Sequence, residues 1–194
     1  PAGKLILATN ENDILARFVE GGVYQPGQFK MTYSPSMDIQ VASNFERYLY
    51  YLHDEKAEPT ADKMAEFKSA GQIRVSPQQL QQVQADFAAH SVSNGDCLEE
   101  IRRVYRESGY LIDPHTACGV AAYRRCAADH EPTVVLSTAH PAKFGEAIGL
   151  CQIRFDYPPE MERLFDKPQH KTIVPANHEA VRQQLTDFFA PAEV

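Results

Sequence analysis

Several things are scarce in this chain, and each scarcity narrows what it can be. Long apolar runs are missing: none approaches the roughly 18 residues needed to cross a bilayer, and the N-terminal residues lack a signal-peptide pattern. Basic clusters are missing too. Nineteen Lys and Arg stand against 26 Asp and Glu, for a net charge of −7. No Lys/Arg group is interleaved with aromatics, which argues against a nucleic-acid surface. Cysteine is sparse, with Cys97, Cys118, Cys126 and Cys151 scattered and no CxxC pair to suggest zinc. Buried free thiols in a reducing cytoplasm are the expectation. No metal site is expected, because no His/Cys/carboxylate set has a convincing ligand spacing. A glycine-rich phosphate loop is also absent, since Gly21-Gly22 falls where a helix stops.

What remains is an ordinary globular composition, 43% hydrophobic and 23% charged over 194 residues. That suffices for one sizeable domain or two small ones. Leu5 to Ala8 is continuously apolar, as a parallel strand covered on both faces would be. Asn10 to Asp13 supplies a turn and cap, after which Ile14, Leu15, Phe18 and Val19 recur at helical spacing. Pro1 to Gly3 reads as a loop, and Lys30 to Tyr33 as a short strand. Ser34 to Asp38 is a loop, and Ser43 caps a helix through Phe45, Tyr48, Leu49 and Leu52. Residues 54–96 are more polar, with helices at Ala61 to Ser69 and Pro77 to Phe87 and a strand at Ala88 to Val92. Asp96 caps an amphipathic helix that ends at Gly109, and Asp113 to Thr116 lead into an alanine-rich helix through Ala128. His130 to Pro132 turn the chain into a buried strand, Thr133 to Leu136. An irregular wrap follows over Arg154 to Lys171, then a short strand at Thr172 to Val174 and a helix capped by Asn177 that ends near Phe189. Alternating strands and helices predict an α/β fold with a mainly parallel sheet and helices on both faces, in three layers.

Four groups could carry chemistry, the fourth being Ser34 to Asp38 with Ser43-Asn44-Phe45-Glu46-Arg47, where Glu46 and Arg47 are most simply a solvated helix face. Ser137, Thr138, His140 and Lys143 lie where the Thr133–Leu136 strand runs into a helix, and ligands of open α/β sheets bind at such strand ends. A hydroxyl there suits a pyridine-type nitrogen, because it donates or accepts without forcing a proton onto the ring. Capping residues beside a solvated lysine fit the same spacing. Asp113-Pro114-His115-Thr116 is the second group: proline keeps Asp113 out of helical geometry, and anions are favoured at the helix start. Asn10, Asn12 and Asp13 are the third, either a turn and cap or amides for an anionic oxygen. Cys118 has a histidine three residues upstream, which does not make a nucleophile–base pair.

Five segments in order resemble threonine synthase of the longer microbial and fungal type. They are Ala-Thr-Asn-Glu-Asn-Asp-Ile-Leu (8–15), Ser-Pro-Ser-Met-Asp-Ile (34–39), Ser-Asn-Phe-Glu-Arg (43–47), Asp-Pro-His-Thr-Ala-Cys-Gly (113–119) and Ser-Thr-Ala-His-Pro-Ala-Lys-Phe (137–144). The resemblance implies a pyridoxal-phosphate enzyme of fold type II that converts O-phosphohomoserine and water to threonine and phosphate. It implies that Thr138 meets the pyridine nitrogen and that Asp113 and His115 line the cofactor site. Asn10, Asn12 and Lys143 would fall on the substrate side, Lys143 toward a phosphate. The family's Schiff-base lysine and its Gly-Asn-Phe-Gly phosphate loop belong to a more N-terminal region, and no lysine here has a matching context. The resemblance therefore implies that residues 1–194 are a C-terminal segment of the cofactor-binding large domain, with a polar helical insertion at about 54–96. Such a segment would be inactive by itself, and its partner would be the N-terminal part of the same enzyme. A non-catalytic domain binding a phosphorylated small molecule is the alternative. A hydrolase built on Asp113, His115 and His140 is a weaker one.

Overall fold

The computed structural model describes residues 3–127 and 132–190, which form two compact units, one through Asp156 and one from Tyr157. The readings of Pro1 and Ala2 as loop, of Ala128 as helix and of His130 as turn lie outside the described residues.

In the first unit, β1 (Leu5–Thr9) leads into α1 (Ile14–Gly21), which Gly22 ends in the left-handed conformation, φ 69°. β2 (Val23–Tyr24) follows, then a loop, a 3-10 turn at Pro35–Met37 and α2 (Phe45–Leu52). The polar stretch folds as α3 (Ala57–Ala70), β3 (Ile73–Arg74), α4 (Pro77–Asp86) and β4 (Phe87–Ser91). α5 (Asn94–Ser108), α6 (Pro114–Cys126), a 3-10 turn at Pro141–Phe144 and α7 (Gly145–Leu150) complete the unit. The second unit holds α8 (Pro159–Phe165) and α9 (His178–Phe189).

The fold is α/β, with β1 and β4 parallel in the register Leu5↔Phe87 to Thr9↔Ser91. Val92 extends the ladder by donating its N–H to the Thr9 carbonyl at 2.9 Å. β2 and β3 form a separate antiparallel pair. Alternating side chains give β1–β4 two faces. Leu7, Phe87 and Ala89 pack on a core of Ile14, Phe18, Tyr24, Phe45, Leu49 and Ile73. There the Tyr24 and Phe45 rings stack 4.0 Å apart, and Phe18 meets Phe45 edge-on. α6 also packs on β1 and β4 and, together with α5 and α7, builds a second core around Ile101, Ala117, Cys118 and Ile148.

Several local expectations change. Lys30 to Tyr33 is not a strand, because side chains take its backbone groups: Asn12 pairs with both Lys30 N–H and C=O, Asp38 with Thr32 N–H, and Asn94 with Tyr33 N–H. Thr133 to Leu136 is irregular and in no ladder, with Val134 87% and Leu136 75% exposed. Only Val135 turns inward, over α6. Thr172 to Val174 is likewise irregular, with Ile173 90% exposed. α3 starts before Pro59 because a proline in the first helical turn sacrifices no helix bond. α8 interrupts the irregular wrap in the same way, with Pro159 opening it. The cap of α5 is Ser93, whose hydroxyl accepts Asp96 N–H, and Ser43 makes no cap for α2. Among the described residues, no helix is long and apolar enough to cross a membrane.

Candidate functional site

Proline at position 114 fixes Asp113 in extended backbone geometry, φ −82° and ψ 164°, so Asp113 caps α6. Its carboxylate is fully buried and accepts three hydrogen bonds. Oδ1 takes the His115 backbone N–H at 2.9 Å and the His115 ring at 2.8 Å, and Oδ2 takes the Thr116 hydroxyl. Burial pushes the Asp113 carboxyl up, yet the hydrogen bonds from His115 and Thr116 outweigh it and hold the group below its ordinary value. A buried anion is thus held by neutral donors at a helix N-terminus, where the helix dipole favours it.

The second ring nitrogen of His115 faces the 34–38 loop. Ser36 donates its backbone N–H to His115 Nε2 at 3.1 Å. A backbone N–H can only donate and a carboxylate can only accept. His115 is therefore the neutral tautomer with its proton on Nδ1. Its ring also lies 4.8 Å from that of Phe144.

Asp113 connects this brace to an open cavity of about 490 Å³, bounded by residues 110–113 on one side and by 137–141 with Lys143 on the other. Ser137, Thr138 and Lys143 are exposed there. Thr116 Oγ1 lies 3.4 Å from Ser137 Oγ, tying the buried carboxylate to the cavity rim. The reading of Ser137 or Thr138 as a helix cap does not hold. His140 caps the 3-10 turn, with Nδ1 accepting Ala142 N–H at 3.2 Å.

Asn10 and Asn12 lie elsewhere. Both are buried, and their amides are spent within the protein. Asn10 Nδ2 donates to Thr32 Oγ1 and Asp38 Oδ1, each at 2.7 Å, and Asn12 Nδ2 to Asp38 Oδ1 at 3.0 Å. The structure thus brings Asp113, Thr138 and Lys143 to one cavity. His115 sits behind it, and Asn10 and Asn12 underpin the 30–38 loop. Sequence reasoning placed Thr116 in the second group and Ser36 and Asp38 in the fourth, without the contacts seen here. Thr116 stood beside a capping aspartate, and the reach of Ser36 to His115 left no local trace. Cys97 and Cys118 are buried beside each other in the second core, and their thiols are free. A hydrogen bond between the two thiols, together with burial, pushes the Cys97 thiol up, as befits a packing residue.

The cavity lining offers neutral hydroxyls and an exposed cation. Exposed hydroxyls at 137 and 138 are neutral donors or acceptors, Lys143 is an exposed cation, and the nearest carboxylate spends both oxygens on internal donors.

This arrangement is an α/β fold with a polar cavity at the start of α6. The crystal structure of pyridoxal-phosphate-bound threonine synthase from Brucella melitensis superimposes with a TM-score of 0.87 at 35% identity, covering 96% of this chain and 40% of that one. Threonine synthase from yeast gives 0.85 at 35% identity, covering 99% and 43%. The family model described as threonine synthase, C-terminal, matches residues 116–185. Threonine synthase of Pseudomonas aeruginosa is 41% identical over 179 residues, 90% of this chain and 38% of that protein. The chain belongs to the threonine synthase family and corresponds to its C-terminal part. It spans under half the length of the curated relatives it matches.

Proposed function

We propose that this chain forms one wall of the active site of a pyridoxal-phosphate-dependent threonine synthase, which converts O-phosphohomoserine and water to L-threonine and phosphate. The observation that carries the reading is the cavity where the Asp113-capped α6 meets the Ser137–Thr138 hydroxyls and Lys143. When bound, pyridoxal phosphate supplies the electron sink for the reaction.

In this reading Thr138 faces the pyridine nitrogen and leaves it free of a forced proton. Asp113 closes the inner wall, and His115 stiffens it from behind. Lys143, on the exposed rim, attracts the substrate phosphate. Asn10 and Asn12 serve the substrate side by fixing the 30–38 loop, because their amides are already occupied. The chain is read as one C-terminal segment of the cofactor-binding large domain, acting with the N-terminal part of the same enzyme. That part provides the amine that holds the cofactor, since no lysine here has the matching sequence context. Four free thiols, three of them buried, suit a cytoplasmic location.

The test uses the complete enzyme containing this chain and the chain by itself. Phosphate release from O-phosphohomoserine is expected from the complete enzyme. The chain alone should give no turnover and only weak cofactor binding. A complete enzyme that releases no phosphate would sink the reading, as would stable cofactor attachment and turnover by the chain alone.

A further inference from the structure

Thr116 occupies an unusual place: buried, in the first turn of α6, between the ionised Asp113 and the exposed cavity rim. Its hydroxyl donates to Asp113 Oδ2 and lies 3.4 Å from Ser137 Oγ. Ser137 precedes Thr138 in a stretch that has no sheet partner among the described residues. A strand end in a sheet has its neighbours to set its height. This one lacks a ladder, and at the cavity Ser137 is tied to Thr116. The opposite end of the same brace is rigid, because Asp113 and His115 are buried and His115 is pinned by Ser36.

We infer that Thr116 is a positioning residue: through Asp113 and Ser137 it sets where the Ser137–Thr138 hydroxyls stand in the cavity. The inference rests on the assignment of Thr138 to the pyridine nitrogen. Threonine suits the role because its β-branch narrows χ1 to few rotamers and the bond to Asp113 Oδ2 selects the one that reaches the cavity rim. Serine keeps the hydroxyl with a freer χ1. Valine keeps the shape and leaves Asp113 Oδ2 without its donor.

The experiment is run on the complete enzyme with Thr116→Val, Thr116→Ser and Thr138→Val. The readouts are the dissociation constant for pyridoxal phosphate, the visible absorbance of the bound cofactor and the thermal midpoint. Thr116→Val is expected to weaken cofactor binding about tenfold, the scale of one hydrogen bond to a charged group, and to shift the absorbance. Thr116→Ser should restore both to within about threefold. A Thr116→Val enzyme that melts earlier but binds the cofactor with unchanged affinity and absorbance overturns the inference, for Thr116 would then be packing alone. Thr138→Val separates the two levels. If it weakens binding while Thr116→Val does not, only the Thr116 inference falls. If Thr138→Val changes nothing, the assignment of Thr138 falls and takes the inference with it. Should Thr116→Val not fold, Ser137→Ala breaks the same tie from the solvent side. Unchanged cofactor affinity in that variant overturns the inference, and a loss matching Thr138→Val supports it.

Discussion

Ser36 donates its backbone N–H to Nε2 of His115, 79 residues away in sequence, at 3.1 Å. With Nδ1 committed to Asp113, the ring has one tautomer available. Nitrogen NMR of the chain labelled at histidine should show His115 with a protonated Nδ1 and a bare Nε2 at neutral pH. Signals of a doubly protonated ring, or of the opposite tautomer, would contradict the brace.

Asp113 links the site to pH. Its folded carboxyl sits below its ordinary value, so its contribution to stability is present above the unfolded pKa of about 3.9 and is lost as pH falls through the lower folded value. Asp113→Asn should therefore be less stable than wild type at pH 7, by about 1–3 kcal/mol. Urea melts at pH 7 and pH 3 should show that gap shrinking with acidification. An equal gap at both pH values would remove the carboxylate's charge from the account.

Gly119 on α6 admits the chain that passes over it. A Cβ there would stand 2.9 Å from Val135 Cγ1, too close for any real contact. Gly119→Ala gains about 1 kcal/mol of helix propensity but pushes Val135, and with it the 133–136 segment, off α6. Urea melts should show unchanged or slightly raised stability, while limited proteolysis near residues 133–136 accelerates. Unchanged cleavage would mean that Val135 does not rest on Gly119.

Asn12 replaces a strand neighbour for the 30–33 loop, bonding Lys30 N–H at 3.0 Å and Lys30 C=O at 2.8 Å. Asn12→Leu strands both groups, along with part of the Asp38 carboxylate's partner set. A loss of about 2–3 kcal/mol is expected, with faster amide exchange at Lys30 and Thr32. Asn12→Asp should be no better, since it sets a second carboxylate against Asp38. Protection that survives either change would show that the loop is held from elsewhere.

Much of the architecture is written locally. The apolar run 5–8, the alternating apolar faces of α1 and α5, the Ser76-Pro77 and Asn177 helix starts and the left-handed glycines at 22 and 109 are short-range consequences of side-chain shape and backbone freedom. Each could be read without knowing any distant residue. Proline 114 belongs with them, because its ring alone makes Asp113 a cap. The candidate site was half legible in the same way: the residues at 113 and 137–143 stood out as polar groups at element boundaries.

Distance in the chain hid the rest. Lys30 to Tyr33 has strand-like residues, but whether it pairs depends on Asn12, Asp38 and Asn94 reaching its backbone first. Thr133 to Leu136 has the composition of a buried strand, and composition cannot say whether a neighbour stands beside it. Short-range chemistry thus determined the elements, their ends and the cap that makes a buried carboxylate. Tertiary packing alone decided that His115 turns to Ser36, that Thr116 reaches Ser137 and that Asn10 and Asn12 turn inward. Hydrogen-bond direction is satisfied by whichever partner the fold delivers, and no local pattern encodes that delivery.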